Sequence, residues 1–190
     1  MDLGPQPDLR TPRLSLTPFL EADAEAVFAY ASNPNVSRFT TWETHTSVAD
    51  AERFIRWVRG REAEFCWAIR LSPGGEARGA IEFGLSDEAT GAVHFVLAEE
   101  LWNRGLMTEA VTAVVEWGFR TFERLERVTT GALSANIGSR RVLEKCGFEL
   151  DGLVGERWAK FEEPVALASY TLTRGRWGAY ADAARASGAA

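Results

Sequence analysis

The run Val93-His94-Phe95-Val96-Leu97-Ala98-Glu99-Glu100-Leu101-Trp102-Asn103-Arg104-Gly105-Leu106-Met107-Thr108-Glu109-Ala110 changes its hydrophobic rhythm part-way. Up to Leu97 it is a short β-branched and aromatic run, the signature of a strand. Beyond Met107 the apolar residues Val111, Val114, Val115, Gly118, Phe119 and Phe122 fall on one face of a helix near Thr108–Phe122. The loop Ala98–Met107 joins them. A helix start offers unpaired N–H groups and the positive end of a dipole, which suit an anion. Gly105 lets a ligand approach the backbone, and Arg104 adds positive charge. The same fragment is also compatible with an ordinary helix start, with Thr108 near the N-cap.

On the N-terminal side, Arg13–Thr17 alternates and stops at Pro18, which predicts a first strand. Ala24, Val27, Phe28 and Ala31 define a helix that ends at Asn33-Pro34. A second helix starts at Ser47, with Asp50 three residues later as a capping-box pair. Strands follow at Phe65–Leu71, Arg78–Leu85 and Ala92–Leu97, with Ser72-Pro73-Gly74-Gly75 as the first turn. On the C-terminal side come a strand at Arg127–Leu133, a short helix at Ile137–Cys146 closed by Gly147, and strands at Phe148–Leu153 and Ala168–Thr173. The order predicts a mixed α/β fold of about seven strands and four helices. Its sheet is mostly antiparallel, with a helix crossover between neighbouring strands.

A chain of 190 residues, 46% hydrophobic and free of repeats, is enough for one domain around one core. That domain is expected over 13–178, with a loose lead-in at 1–12 and a frayed Ala-rich tail at 179–190. No apolar run is long enough to span a membrane, and the start lacks a signal-peptide core, so a cytoplasmic protein is expected. The net charge of −6 argues against a nucleic-acid partner. Two cysteines and two histidines, none in a metal-spaced pair, predict neither a disulfide framework nor a metal site.

Several residues carry candidate chemistry. Asn136 suits an N-cap with Ser139 at the third helical position. Ser139, Val142, Leu143 and Cys146 share one helix face, so Ser139 should point inward. The pair then either caps a helix or also bonds a ligand lying between helix and sheet. Glu82 lies mid-strand, on a solvated face or in a cleft where it could take a proton from an amine. His94 is a rival base or an exposed strand residue. Trp42 and Trp102 fall in loops, where an aromatic often meets a ligand or partner. Cys66 and Cys146 read as small core residues, with a nucleophilic thiol as the lesser option.

The order and spacing of these pieces are more telling than any one of them. The Val93–Ala110 run resembles the coenzyme-binding segment of the GNAT superfamily of N-acetyltransferases. Ala135-Asn136-Ile137-Gly138-Ser139-Arg140-Arg141-Val142-Leu143-Glu144-Lys145-Cys146-Gly147-Phe148 is similar to the signature of its ribosomal-protein N-terminal acetyltransferase branch (RimJ- and RimL-like). So are Leu9-Arg10-Thr11-Pro12-Arg13-Leu14 and Trp42-Glu43-Thr44-His45-Thr46-Ser47. The likeness runs from about residue 9 to Trp177.

The resemblance implies a three-layer fold whose splayed sheet carries helices on both faces. It implies acetyl-CoA as co-substrate and no metal. The backbone of Val96 and Leu97 would pair with the pantetheine arm. N–H groups of Asn103, Arg104, Gly105, Leu106, Met107 and Thr108 would hold the diphosphate. Asn136 would bond the pantetheine, and Ser139 would reprotonate the departing thiolate. Apart from the resemblance, the residues themselves offer Glu82 as base, directly or through a water, with Trp42, Glu82 and His94 on the acceptor side. The partner would be an amine, a protein N-terminus by the branch, and the protein a monomer or homodimer. The chain departs from the family where Asn103 and Met107 replace small residues and where Leu153–Arg157 and Pro164–Ala166 match poorly. Two other readings stay open: acetylation of a small-molecule amine, and a non-catalytic acyl-CoA-binding module.

Overall fold

The computed structural model describes residues 5–61, 64–71 and 74–186, and side chains as far as residue 182. Ser72 and Pro73 of the expected first turn lie outside the described residues, as do 1–4 of the lead-in and 187–190 of the tail.

Among the described residues eight strands form one sheet: β1 (Leu9–Arg10), β2 (Leu14–Pro18), β3 (Glu64–Leu71), β4 (Ala77–Leu85), β5 (Thr90–Leu97), β6 (Arg127–Leu133), β7 (Glu149–Glu156) and β8 (Val165–Thr173). Six α-helices accompany them among the described residues: α1 (Ala24–Ala31), α2 (Pro34–Ser37), α3 (Val48–Arg59), α4 (Leu106–Thr121), α5 (Ile137–Lys145) and α6 (Arg174–Ala186). The spatial order is β1-β2-β3-β4-β5-β6-β8-β7. Every neighbouring pair is antiparallel except β5 and β6.

The expected fold class is the observed one. The eighth strand is β1, too short to show alternation, yet paired through Leu9 and Leu16. Nearby, Trp67 donates its indole N–H to Pro7 O (2.6 Å) and Gln6 Nε2 bonds Cys66 O (3.0 Å), so part of the lead-in is tied to β3. Asn33-Pro34 ends α1 and also opens α2: Asn33 Oδ1 accepts from the Asn35 N–H at 2.9 Å. The sixth helix, α6, carries helical structure past Tyr180, with Trp177 buried against the core.

Two cores sandwich the sheet. On one face, α1–α3 pack Val27, Tyr30, Val36, Ala51 and Ile55 over Cys66, Ala68 and Ala80. On the other, α4–α6 pack Val111, Val114, Val115, Leu143 and Trp177 over Trp67, Ile81, Phe83 and Val93. The helix-period stripe of α4 meets the sheet closely at Gly118, where a Cβ would lie 2.8 Å from the Phe83 ring. Beside it Trp117 packs edge-on to Phe65, Trp67, Phe83 and Phe122, with ring centroids 5.1–5.6 Å apart.

One buried charge pair seats α1. Arg70 of β3 forks onto Asp23, just before α1, at 2.9 and 2.7 Å, and its Nε bonds Thr17 Oγ1 at 3.0 Å. Removing one member of such a pair strands the other in the interior, at a cost of about 3–5 kcal/mol. Asp23→Ala should therefore lower the unfolding free energy measured by urea titration by that amount, and a value within error of wild type would refute the assignment.

Candidate active site

β5 and β6 pair over Thr90–Ala92 with Arg127–Thr129 and then separate, although β5 runs on to Leu97 and β6 to Leu133. The last link is made by a side chain, Thr130 Oγ1 donating to Val93 O at 2.6 Å. Beyond it the strands leave a gap. Which backbone groups face that gap follows from the ladder on the other side. The Ala98 N–H donates to Arg78 O (2.8 Å) and the Ser86 N–H to Thr90 O (2.9 Å), in register with Gly79 opposite Leu97. Even-numbered residues of β5 thus bond β4, and odd-numbered ones face the gap. Leu97 O is taken by the Trp102 indole at 2.8 Å. The Leu97 N–H and both backbone groups of Phe95 remain turned to the gap. Val96 turns its backbone to β4; a Cβ on Gly79 would lie 2.4 Å from Val96 O. Of the two residues expected to offer backbone there, Leu97 does and Val96 does not; Phe95 takes its place.

The gap opens into a cleft of about 1190 Å³. That exceeds the 300–1,000 Å³ usual for a small-ligand site, leaving room for a coenzyme arm and an acceptor. Asn103, Gly105, Leu106, Met107, Thr108, Asn136, Ser139, Glu82, His94, Val96, Leu97 and Trp42 all border it. Among the expected site residues Arg104 does not; its side chain is exposed outside.

At one end of the cleft, α4 begins at Leu106, two residues before the position expected from Thr108. Its N-cap is Gly105 in the left-handed region (φ 73°), and no side chain caps the helix. The N–H groups of Leu106, Met107 and Thr108 are therefore left for something else. Asn103 is also left-handed (φ 60°), a conformation that costs most residues roughly 1–2 kcal/mol and Asn less. This accounts for Asn where the family resemblance led to Gly. Met107 is 6% exposed and packs its side chain into the core, so its bulk stays out of the loop.

α5 starts across the gap. Asn136 Oδ1 accepts from the Ser139 N–H at 3.1 Å, as a capping residue should. That bond uses the amide oxygen and leaves the Nδ2 donors available. Leu143 and Cys146 are fully buried, whereas Ser139 and Val142, on the same stripe, are half-buried along the cleft. Arg141 and Lys145 add two cations on this side, which the sequence reading had not singled out.

The other end is built on the α1–α3 face. Cys66, Glu82 and His94 stand side by side on β3, β4 and β5. Glu82 is paired with Arg61 at 2.5 Å. Arg61 also pairs with Glu64, and its guanidinium lies 4.3 Å over the Trp57 ring. Tyr30, Trp42 and His45 complete the wall, with Trp42 and His45 ring centroids 5.4 Å apart. Lys160, on the β7–β8 loop, bonds Ser37 O and, at 3.0 Å, Trp42 O, and it brings Trp158 to the rim. Arg61, Tyr30 and Trp158 lie far apart in sequence and carry no local signal. Burial raises the pKa of both cysteine thiols, that of Cys146 to about 12, so neither is a nucleophile near neutral pH. Among the described residues no group of three His, Cys, Asp or Glu could hold a metal ion.

Two anion-ready helix starts, a parted parallel strand pair and a carboxylate in one cleft match the architecture that the resemblance implied. The acetyltransferase (GNAT) domain family matches residues 13–149. The chain belongs to the GNAT acetyltransferases. It is therefore an N-acetyltransferase, with acetyl-CoA as co-substrate and an amine as acceptor. It is 29% identical over 175 residues to the uncharacterized N-acetyltransferase YoaA of Bacillus subtilis, covering 90% of this chain and 98% of YoaA. Among solved structures, RimJ of Mycobacterium smegmatis in complex with CoA-disulfide superposes with a TM-score of 0.76 at 21% identity, covering 96% of this chain and 93% of that one. Spermidine N-acetyltransferase of Vibrio cholerae, in complex with CoA and spermine, gives 0.73 at 15% identity, covering 88% and 99%. At these identities the structures speak for the GNAT fold. No helix among the described residues is long and apolar enough to cross a membrane.

The uncapped start of α4 fits the diphosphate of acetyl-CoA: three free N–H groups and a helix dipole meet a left-handed turn that lets a ligand come close. At the α1–α3 end of the cleft, His94 is open to it, yet the atoms crowding it lower its pKa by desolvation, against the pull of Glu82. His45 is lowered for the same reason. With folded values below the ordinary 6.5, the unfolded chain binds more protons as pH drops past that value, and stability falls. His94→Asn should flatten the decline of Tm between about pH 6.5 and 5 in scanning calorimetry. An unaltered decline would remove His94 as its source.

Proposed function

We propose that the protein acetylates the N-terminal α-amine of a protein or peptide, in the cytosol, by direct attack within a ternary complex. The carrying observation is the charge of the cleft. Among the described residues that border it, the acids are Glu64 and Glu82 and the bases are Arg61, Arg141 and Lys145. Both carboxylates are already engaged by Arg61. A polyamine needs a surplus of several acids; with Arg61 set against Glu64 and Glu82, the α1–α3 end carries a surplus of one, enough for a single ammonium and not for a polycation. An α-amine needs little: with a pKa of about 8, roughly a tenth is neutral at pH 7, against well under a thousandth of a Lys amine at about 10.4.

The roles follow from placement. The N–H groups of Leu106–Thr108, together with the Asn103–Gly105 turn, hold the diphosphate. The backbone of Phe95 and the Nδ2 of Asn136 hold the pantetheine arm. The amine nitrogen attacks the thioester carbonyl carbon, and its proton passes to Glu82, directly or through water. The Leu97 N–H faces the developing oxyanion. As the carbon–sulfur bond breaks, the Ser139 hydroxyl donates a proton to the sulfur and regains one from water, while Glu82 gives up the amine's proton to solvent. The products are an amide and the free thiol. Trp42 and His94 border the acceptor.

The likeness to the ribosomal-protein branch supports this acceptor class, and the spermidine enzyme among the neighbours makes a polyamine the natural control. In a thiol-release screen, peptides beginning with Ser or Ala should turn over, with spermidine much slower; turnover of spermidine alone would overturn the acceptor class. Binding of acetyl-CoA without turnover of any amine would instead favour a binding module. Ser139→Ala should lower kcat by about a hundredfold while changing CoA affinity little. An unchanged kcat would take Ser139 out of the mechanism.

A further inference from the structure

We propose that Arg13 is a positioning residue for the diphosphate loop, acting through the Arg104 carbonyl and Glu109. The inference rests on the reading of the α4 start as the diphosphate site. Arg104 lies between two left-handed residues, Asn103 and Gly105. Its carbonyl accepts from Arg13 Nη1 at 2.9 Å. The same side chain puts its Nε on Glu109 Oε2 at 2.6 Å. Glu109 Oε1 takes the Arg13 N–H at 2.9 Å and the Thr11 hydroxyl at 2.5 Å. The guanidinium lies against the loop, with Nη2 3.6 Å from where a Gly105 Cβ would be.

Two consequences follow. First, the unusual turn is held at its centre from the bend between β1 and β2, by a residue more than ninety positions away in sequence. Second, Glu109 is the residue directly after the three free N–H groups. A loose carboxylate there would oppose a polyanion at the helix start. Thr11 and Arg13 hold it against the bend between β1 and β2 and neutralise it. An isolated surface ion pair does little for a protein. This one joins a sheet edge to the one loop whose geometry sets where the amides point. It also gives a use to Thr11 and Arg13 of the Leu9–Leu14 stretch, which the proposed mechanism leaves idle.

The test compares donors with and without the diphosphate. Arg13→Gln and wild type are titrated with CoA by calorimetry and assayed with acetyl-CoA and with S-acetylpantetheine. The expected result is a Kd for CoA about tenfold higher in the variant, the scale of losing one charge-assisted hydrogen bond. The KM for acetyl-CoA should rise in step and kcat stay within about twofold, while kcat/KM for S-acetylpantetheine changes by less than about twofold. Arg13→Lys, which can reach one partner but not fork across both, should fall between the two. CoA affinity equal to wild type would overturn the brace, as would equal losses with both donors, which mark a general folding defect. Failure of the wild type itself to bind CoA would instead overturn the diphosphate reading and the brace with it.

Discussion

β5 and β6 run side by side from Thr90 and Arg127 and then part, and the site follows from that parting. A parallel ladder that stops early leaves backbone donors and acceptors facing each other across open space. Such groups must find partners. Here Thr130 satisfies Val93 O and Trp102 satisfies Leu97 O, both with side chains. Phe95 and the Leu97 N–H stay open, ready to treat an extended ligand as an extra strand. Because both strands run the same way, the elements that follow them emerge at the same end. The helices α4 and α5 therefore both start at the mouth of the gap, and their N-terminal dipoles converge on it.

This arrangement explains how a chain of net charge −6 can serve a polyanionic co-substrate. The overall charge is of little account at the range of a hydrogen bond. What decides is the local field: two helix starts, the cations Arg141 and Lys145 along the cleft, and an acid, Glu109, paired by Thr11 and Arg13. Burial opposes ionisation of Glu109, but the bonds from Thr11 and Arg13 outweigh it and hold its pKa below the usual carboxylate value. A negative charge is thus kept at a helix N-terminus without being available to fill it.

The parts legible in the sequence are those written in local rhythm. The α4 stripe, the Ser47–Asp50 box and the Asn136–Ser139 cap each announce themselves within a few residues, and the structure keeps them. The start of α4 was read late, because Thr108 is a better-looking cap than Gly105. The chain leaves the cap position to a left-handed glycine and so keeps its first amides free. Val96 was read for Phe95 because which neighbour faces the gap depends on ladder phase against β4, a property of pairing that sequence alone does not print. β1 and α2 are too short for periodicity. Arg61, Tyr30 and Lys160 matter only through partners brought together by the fold.

The two ends of the cleft differ in what they are made of. The coenzyme end is largely backbone: amides of α4, the exposed edge of β5 and the cap of α5. Side-chain changes there are tolerable as long as the turn keeps its shape, which is why Asn103 can stand in a left-handed position and Met107 can turn into the core. The acceptor end is side chains drawn from α1, the loop before α3, the end of α3, β4, β5 and the β7–β8 loop. Nothing but tertiary packing fixes their relation: Arg70 on Asp23 seats α1, Arg61 spans α3 to β4, and Lys160 ties the β7–β8 loop to the loop bearing Trp42. One end can therefore be recognised from a short motif while the other can be rebuilt on the same frame. On the proposed reading the choice of amine is made at the rebuilt end, where one arginine, Arg61, faces two carboxylates, Glu82 and Glu64, and leaves a single negative charge, matched to one ammonium rather than to a polycation.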